Sequence, residues 1–212
     1  LEESLKKYLT YVKRELVDVE TGKTCNDAGM DDSFKRLYNA PWAATFFAEI
    51  YRLWKQDEDL RYSCQVIRHY YEEGGRKFYP IELPVTLVMG ELKKAGWQKE
   101  YDELLELFVD HADHLCEVGK NYPASEVNYE QSIVAPAADV ILSVYLLTGD
   151  KKYLDEGARQ VGGDSGTVQR HAARLSPERG GYPSLGRLLV RQEALLRGYF
   201  PPLLERPHGK SV

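Results

Sequence analysis

A chain of 212 residues, 43% hydrophobic and 29% charged, has the length and composition of an ordinary soluble globular protein with a substantial core. Its net charge of −5 argues against a nucleic-acid partner, because phosphate contacts need clustered Lys and Arg. It has no run of about 18 apolar residues to cross a membrane, and its three cysteines, Cys25, Cys64 and Cys116, show no metal-ligand spacing, so a reduced, cytoplasmic setting is expected.

In chain order, the first helix is expected over Leu5 to Val17, with Leu5, Leu9, Val12 and Leu16 as its apolar stripe. A polar loop follows to Asn39 and carries Asn26, Asp27, Asp31 and Asp32. The second helix opens at Asn39-Ala40-Pro41, proline being well tolerated in a first turn, and continues through Trp42, Phe46, Phe47, Ile50 and Tyr51. The third runs from Glu58 to Glu73 and ends at Gly74-Gly75. An irregular stretch to Ile81 leads into a fourth helix opening at Glu82-Leu83-Pro84. The turn Ala95-Gly96 separates that helix from a fifth, Trp97 to about Val118. A second acidic loop holds Tyr122, Glu126, Asn128, Tyr129, Glu130 and Gln131. It runs into the sixth helix, Ser132 to Leu147, with Ile133, Val134, Ala137, Val140, Ile141, Val144 and Leu147 at helical spacing. Gly149 is placed to take the left-handed conformation that ends it, and a seventh helix starts at Lys151.

The pattern repeats. The second, fourth and sixth helices each follow a long polar loop, carry a proline near the start (Pro41, Pro84, Pro136) and end in a short turn before an amphipathic partner. Period-two alternation is scarce, so the fold class is all-α. The hairpin rhythm, with the Tyr-x-Leu-Thr-Gly-Asp-x-x-Tyr-Leu turn at Tyr145 to Leu154, resembles the six-hairpin glycosidases, the (α/α)6 toroid superfamily. The resemblance covers roughly residues 1–160. It implies that the loops at 18–40, 74–84 and 119–132 meet on one rim around a sugar-binding cup. Six hairpins need about twelve helices, and this chain offers about seven, so an incomplete (α/α) toroid over residues 1–161 is expected.

From about Gly162 the composition changes. Residues 162–212 hold seven Arg and one Lys, against seven Arg and thirteen Lys in residues 1–161, and five of the ten prolines. A natural basic tail is one reading. A frameshift is another: codons for Leu188 to Gln192 and for Leu196 to Arg206 can be chosen so that the neighbouring frame spells strings rich in aromatics, His and Asp. The printed tail is expected to form one helix near 184–199, with Leu185, Leu188, Leu189, Leu195 and Leu196 on one side.

Two carboxyl groups across a sugar carry glycoside hydrolysis, one as acid and one as nucleophile or base, and Glu126 and Glu130 stand four residues apart. The plainer reading is that acids gather where a helix begins. Asp31 and Asp32, with Asn26, face the same choice between a catalytic rim and turn-capping Asx chemistry. Tyr129 as base and Asn128 as carboxylate-neutralising amide suit a rival, lyase chemistry. Gln131, Trp42 and Tyr122 are candidate substrate-binding residues, the aromatics by stacking on sugar faces. His111 and His114 have helical i, i+3 spacing but no third ligand, so no metal is expected. The expectation is a carbohydrate-active enzyme of glycoside-hydrolase type acting on an oligosaccharide without a cofactor. A polysaccharide lyase on the same fold and a non-catalytic helical binding module are the alternatives.

Overall fold

The structure, a computed structural model, describes residues 1–34, 36–79, 82–123 and 131–162, with the backbone alone for 131–135. It is all-α apart from one small hairpin. Helix α1 spans Glu2–Glu15, strands β1 and β2 Val17–Asp18 and Lys23–Thr24, α2 Asn39–Trp54 and α3 Asp57–Glu72. A 3-10 turn at Gly75–Lys77 precedes α4, Val85–Ala95; α5 is Gln98–Val118, α6 Gln131–Thr148 and α7 Lys151–Val161. The expected boundaries stand to within three residues, α4 beginning after Pro84 instead of at Glu82. The antiparallel pairing of β1 with β2 was not expected. Two-residue strands are too short to show a period in sequence.

Three hairpins, α2–α3, α4–α5 and α6–α7, are each closed by a residue in the left-handed region: Lys55 (φ 54°), Gly96 (φ 74°) and Gly149 (φ 72°). Asp150 then caps α7, its side chain accepting from the Lys152 backbone N–H at 2.9 Å. The hairpins pack in two rows. Helix α2 contacts α4 and α4 contacts α6, while α3 contacts α5 and α5 contacts α7. The first row is the apolar one. Every residue from Pro136 to Val144 of α6 is buried, as a mostly apolar helix demands, Asp139 and Ser143 being its two polar members. In α4, Val85, Leu87, Val88, Met89 and Leu92 are buried as well. The second row is tied together by ion pairs, such as the two-pronged contact of Arg68 on α3 with Glu103 on α5 (2.7 and 2.8 Å). Among the described residues no helix is long and apolar enough to cross a membrane.

Candidate functional site

The first-row helices begin where the three long loops end, and side-chain contacts bring those loops to one end of the molecule. Phe78, in the loop before α4, meets Tyr38, at the start of α2, edge to face with ring centroids 4.6 Å apart. Its neighbour Tyr79 meets Tyr122, in the loop before α6, at 5.6 Å. The middle loop therefore touches the described parts of both others. Aromatic rings join the three loops because each loop must bury some apolar area against another to be held at all.

Buried polar groups fix the middle loop from below. His111 of α5 is fully buried between Tyr71 of α3 and the loop, with Nε2 at 3.1 Å from the Phe78 carbonyl oxygen and Nδ1 at 3.1 Å from the Tyr71 hydroxyl. A carbonyl only accepts, so Nε2 carries the proton and Nδ1 accepts from Tyr71. Burial drives the His111 pKa down to about 4, keeping the ring neutral. Both ring nitrogens of His111 are thus engaged within the protein, and among the described residues no group of three or more His, Cys, Asp or Glu is placed to hold an ion. The third loop is held by α7. Gln160 donates to the Gly119 carbonyl at 2.8 Å and accepts from the Tyr122 hydroxyl.

The candidate residues separate into three groups. Asn26, Asp31 and Asp32 serve the first loop itself. The Asn26 backbone N–H donates to the Asp31 carbonyl at 2.7 Å, and its side-chain amide donates to the Phe34 carbonyl. The Asp31 carboxylate accepts from the Ser33 N–H at 2.8 Å, an Asx turn. Asp32 pairs with Lys23 at 2.7 Å. Of the two readings these residues allow, turn chemistry is the one with visible partners. Trp42 and Tyr122 form the second group. Trp42, in the first turn of α2, is 50% exposed and free to stack. Tyr122 is half-buried, its hydroxyl engaged by Gln160, and burial raises its pKa to about 12, so it anchors the loop. Glu126, Asn128, Tyr129 and Glu130 lie outside the described residues, as does the tail helix expected near 184–199; Gln131 opens α6 by its backbone.

Apart from Tyr38, a ring near the rim suited to stacking on a sugar, sequence reasoning passed over the residues that shape the visible cleft. Phe34, Arg36, Leu37, Tyr38 and Phe78 line an open hollow of about 470 Å³ between the first and second loops. The available signal was the spacing of Phe34, Arg36 and Tyr38 at alternate positions just before Asn39, an aromatic–cation–aromatic run in a polar loop.

Comparison with known proteins adds one strong similarity. No protein-family model matches the sequence, and no curated protein does. A solved structure of a polysaccharide lyase is similar to this chain at 34% identity with a TM-score of 0.68, over 75% of this chain and 23% of that one. The chain spans less than a quarter of the length of that lyase, and what the two share is a mostly helical fold.

Proposed function

We propose that this chain is part of a carbohydrate-active enzyme that cleaves an acidic polysaccharide by elimination. The observation that carries the reading is the 34% identity, across three quarters of the chain, to a polysaccharide lyase. The three-loop rim with its exposed aromatics supports it, since such rings suit the faces of sugars. In elimination a base removes the proton beside a uronate carboxylate, the bond to the leaving sugar oxygen breaks, and a double bond conjugated to the carboxylate remains. On this reading Tyr129 is the base and Asn128 neutralises the carboxylate as charge develops on it.

Hydrolysis is the second reading, favoured by the carboxylate pair Glu126 and Glu130. One assay separates the two. An eliminating enzyme incubated with acidic polysaccharides raises the ultraviolet absorbance as unsaturated ends form; Tyr129→Phe abolishes that rise, and Glu126→Gln or Glu130→Gln leaves most of it. A hydrolase releases reducing ends with no absorbance change, loses about 10³-fold in rate on Glu130→Gln or Glu126→Gln, and tolerates Tyr129→Phe.

A further inference from the structure

Among the described residues the arginines are almost all spoken for. Arg14 pairs with Glu15, Arg52 with Glu49, Arg68 with Glu103, Arg76 with Asp110 and Arg159 with Glu156. Arg61 lies over the Trp97 ring, 5.9 Å from its centroid. Among the described residues Arg36 alone of the arginines has no ion pair and no ring partner, although the chain carries an excess of acids. It is exposed, and it lines the hollow between the first two rim loops.

The surroundings of Arg36 define what it would take. Tyr38 and Phe78 meet at an angle of 69°, which makes an aromatic corner on one side of the hollow. Phe34 is 58% exposed beside it, and Trp42, one helical turn beyond Tyr38, continues the aromatic surface along α2. Large exposed rings beside an uncommitted guanidinium are costly to leave in water and are characteristic of binding surfaces. The volume of about 470 Å³ lies within the range of about 300–1,000 Å³ common to small-ligand sites. A guanidinium presents a planar fork matched to a carboxylate, and an aromatic wall matches the C–H face of a sugar ring. The two together select a sugar that carries a carboxylate.

We propose that Arg36, Tyr38 and Phe78 form a uronate subsite, in which Arg36 grips the sugar carboxylate and the aromatic corner carries the ring. This rests on the carbohydrate reading above and names which charged group on the rim recognises the substrate. Arg36 then acts in binding and specificity, apart from the proton transfer assigned to Tyr129.

The test is binding by the full chain, followed calorimetrically, with polygalacturonate, alginate and hyaluronan as acidic probes and a neutral galactan as control. Arg36→Gln is expected to weaken the acidic probe that binds the wild type by about tenfold or more, to leave neutral-glycan affinity unchanged, and to remove most of the salt dependence. Tyr38→Ala weakens acidic and neutral ligands alike. Circular dichroism of both variants matches the wild type, since neither side chain is in the core. Arg36→Gln binding the acidic probe as tightly as the wild type, or losing acidic and neutral ligands equally, overturns the subsite and leaves the proposed function standing. A wild-type protein that neither binds nor cleaves any of the probes overturns both.

Discussion

His111 shows how much one side chain decides at the rim. It joins α3, α5 and the middle loop through two hydrogen bonds, and it does so as a neutral ring. Its folded pKa of about 4 lies below the ordinary value of about 6.5, so between those values the unfolded chain binds a proton that the folded chain does not. The stabilisation is complete above about pH 6.5 and is lost as pH falls toward about 4, up to about 3 kcal/mol in all. Thermal denaturation of the wild type across that window is expected to show this loss, and His111→Gln to flatten the profile. An equally steep profile in the variant would assign the loss to other groups. His111 was legible in sequence only as one of a histidine pair at i, i+3 on a helix. That it holds the Phe78 carbonyl, 33 residues away, was not, because neither partner marks the other locally.

At the scale of elements, the charged pins lie away from the rim. Glu91 of α4 is 1% exposed, yet it meets Lys94 at 2.7 Å and Lys55, in the turn between α2 and α3, at 3.0 Å. Burial pushes its carboxyl up, and the two lysines more than offset this, leaving it below the ordinary range. Both lysines are more than half exposed, so solvent screens the pair and Glu91→Ala is expected to cost about 2 kcal/mol in urea unfolding. Glu91→Ala within a few tenths of the wild type would mean the pins carry no net stability. Gly22 controls the β1–β2 hairpin. Its φ is 78°, and an added Cβ would stand 2.2 Å from the Gln65 carbonyl oxygen of α3. Gly22→Ala therefore has neither the backbone region nor the space it needs, and a loss of about 1–3 kcal/mol is expected. A glycine in a polar loop announces a turn. Only the packed structure shows that α3 lies directly against it.

For the whole molecule, the two-row packing makes the hairpins interdependent. Helix α6 is buried against α4, α5 and α7, and none of the three hairpins covers its own apolar face. Unfolding is expected to be a single transition. Ile141→Ala, at a fully buried site in α6, should cost about 2–5 kcal/mol. Its midpoint shift should be the same whether helicity is followed or the fluorescence of Trp42, Trp54 and Trp97, which report on the other two hairpins. Separate shifts by the two probes would show that the hairpins melt independently.

The sequence by itself determined the all-α class, seven helices to within a few residues, and the alternation of long loops with tight turns. Those features are written in local terms: helical spacing of apolar residues, prolines at helix starts, and Gly96 and Gly149 where the chain must turn left-handed. Tertiary structure decided which loop residues share a surface. Arg36 reads in sequence as one more surface charge. It becomes a candidate ligand only because Phe78, 42 residues on, closes the hollow beside it while every other described arginine finds a partner. For Asp31 and Asp32, which sequence leaves open between catalysis and turn capping, tertiary structure supplied the turn partner Ser33 and the ion-pair partner Lys23. Proximity between residues far apart in the chain follows from packing free energy summed over the whole core, and no local window of sequence carries that sum.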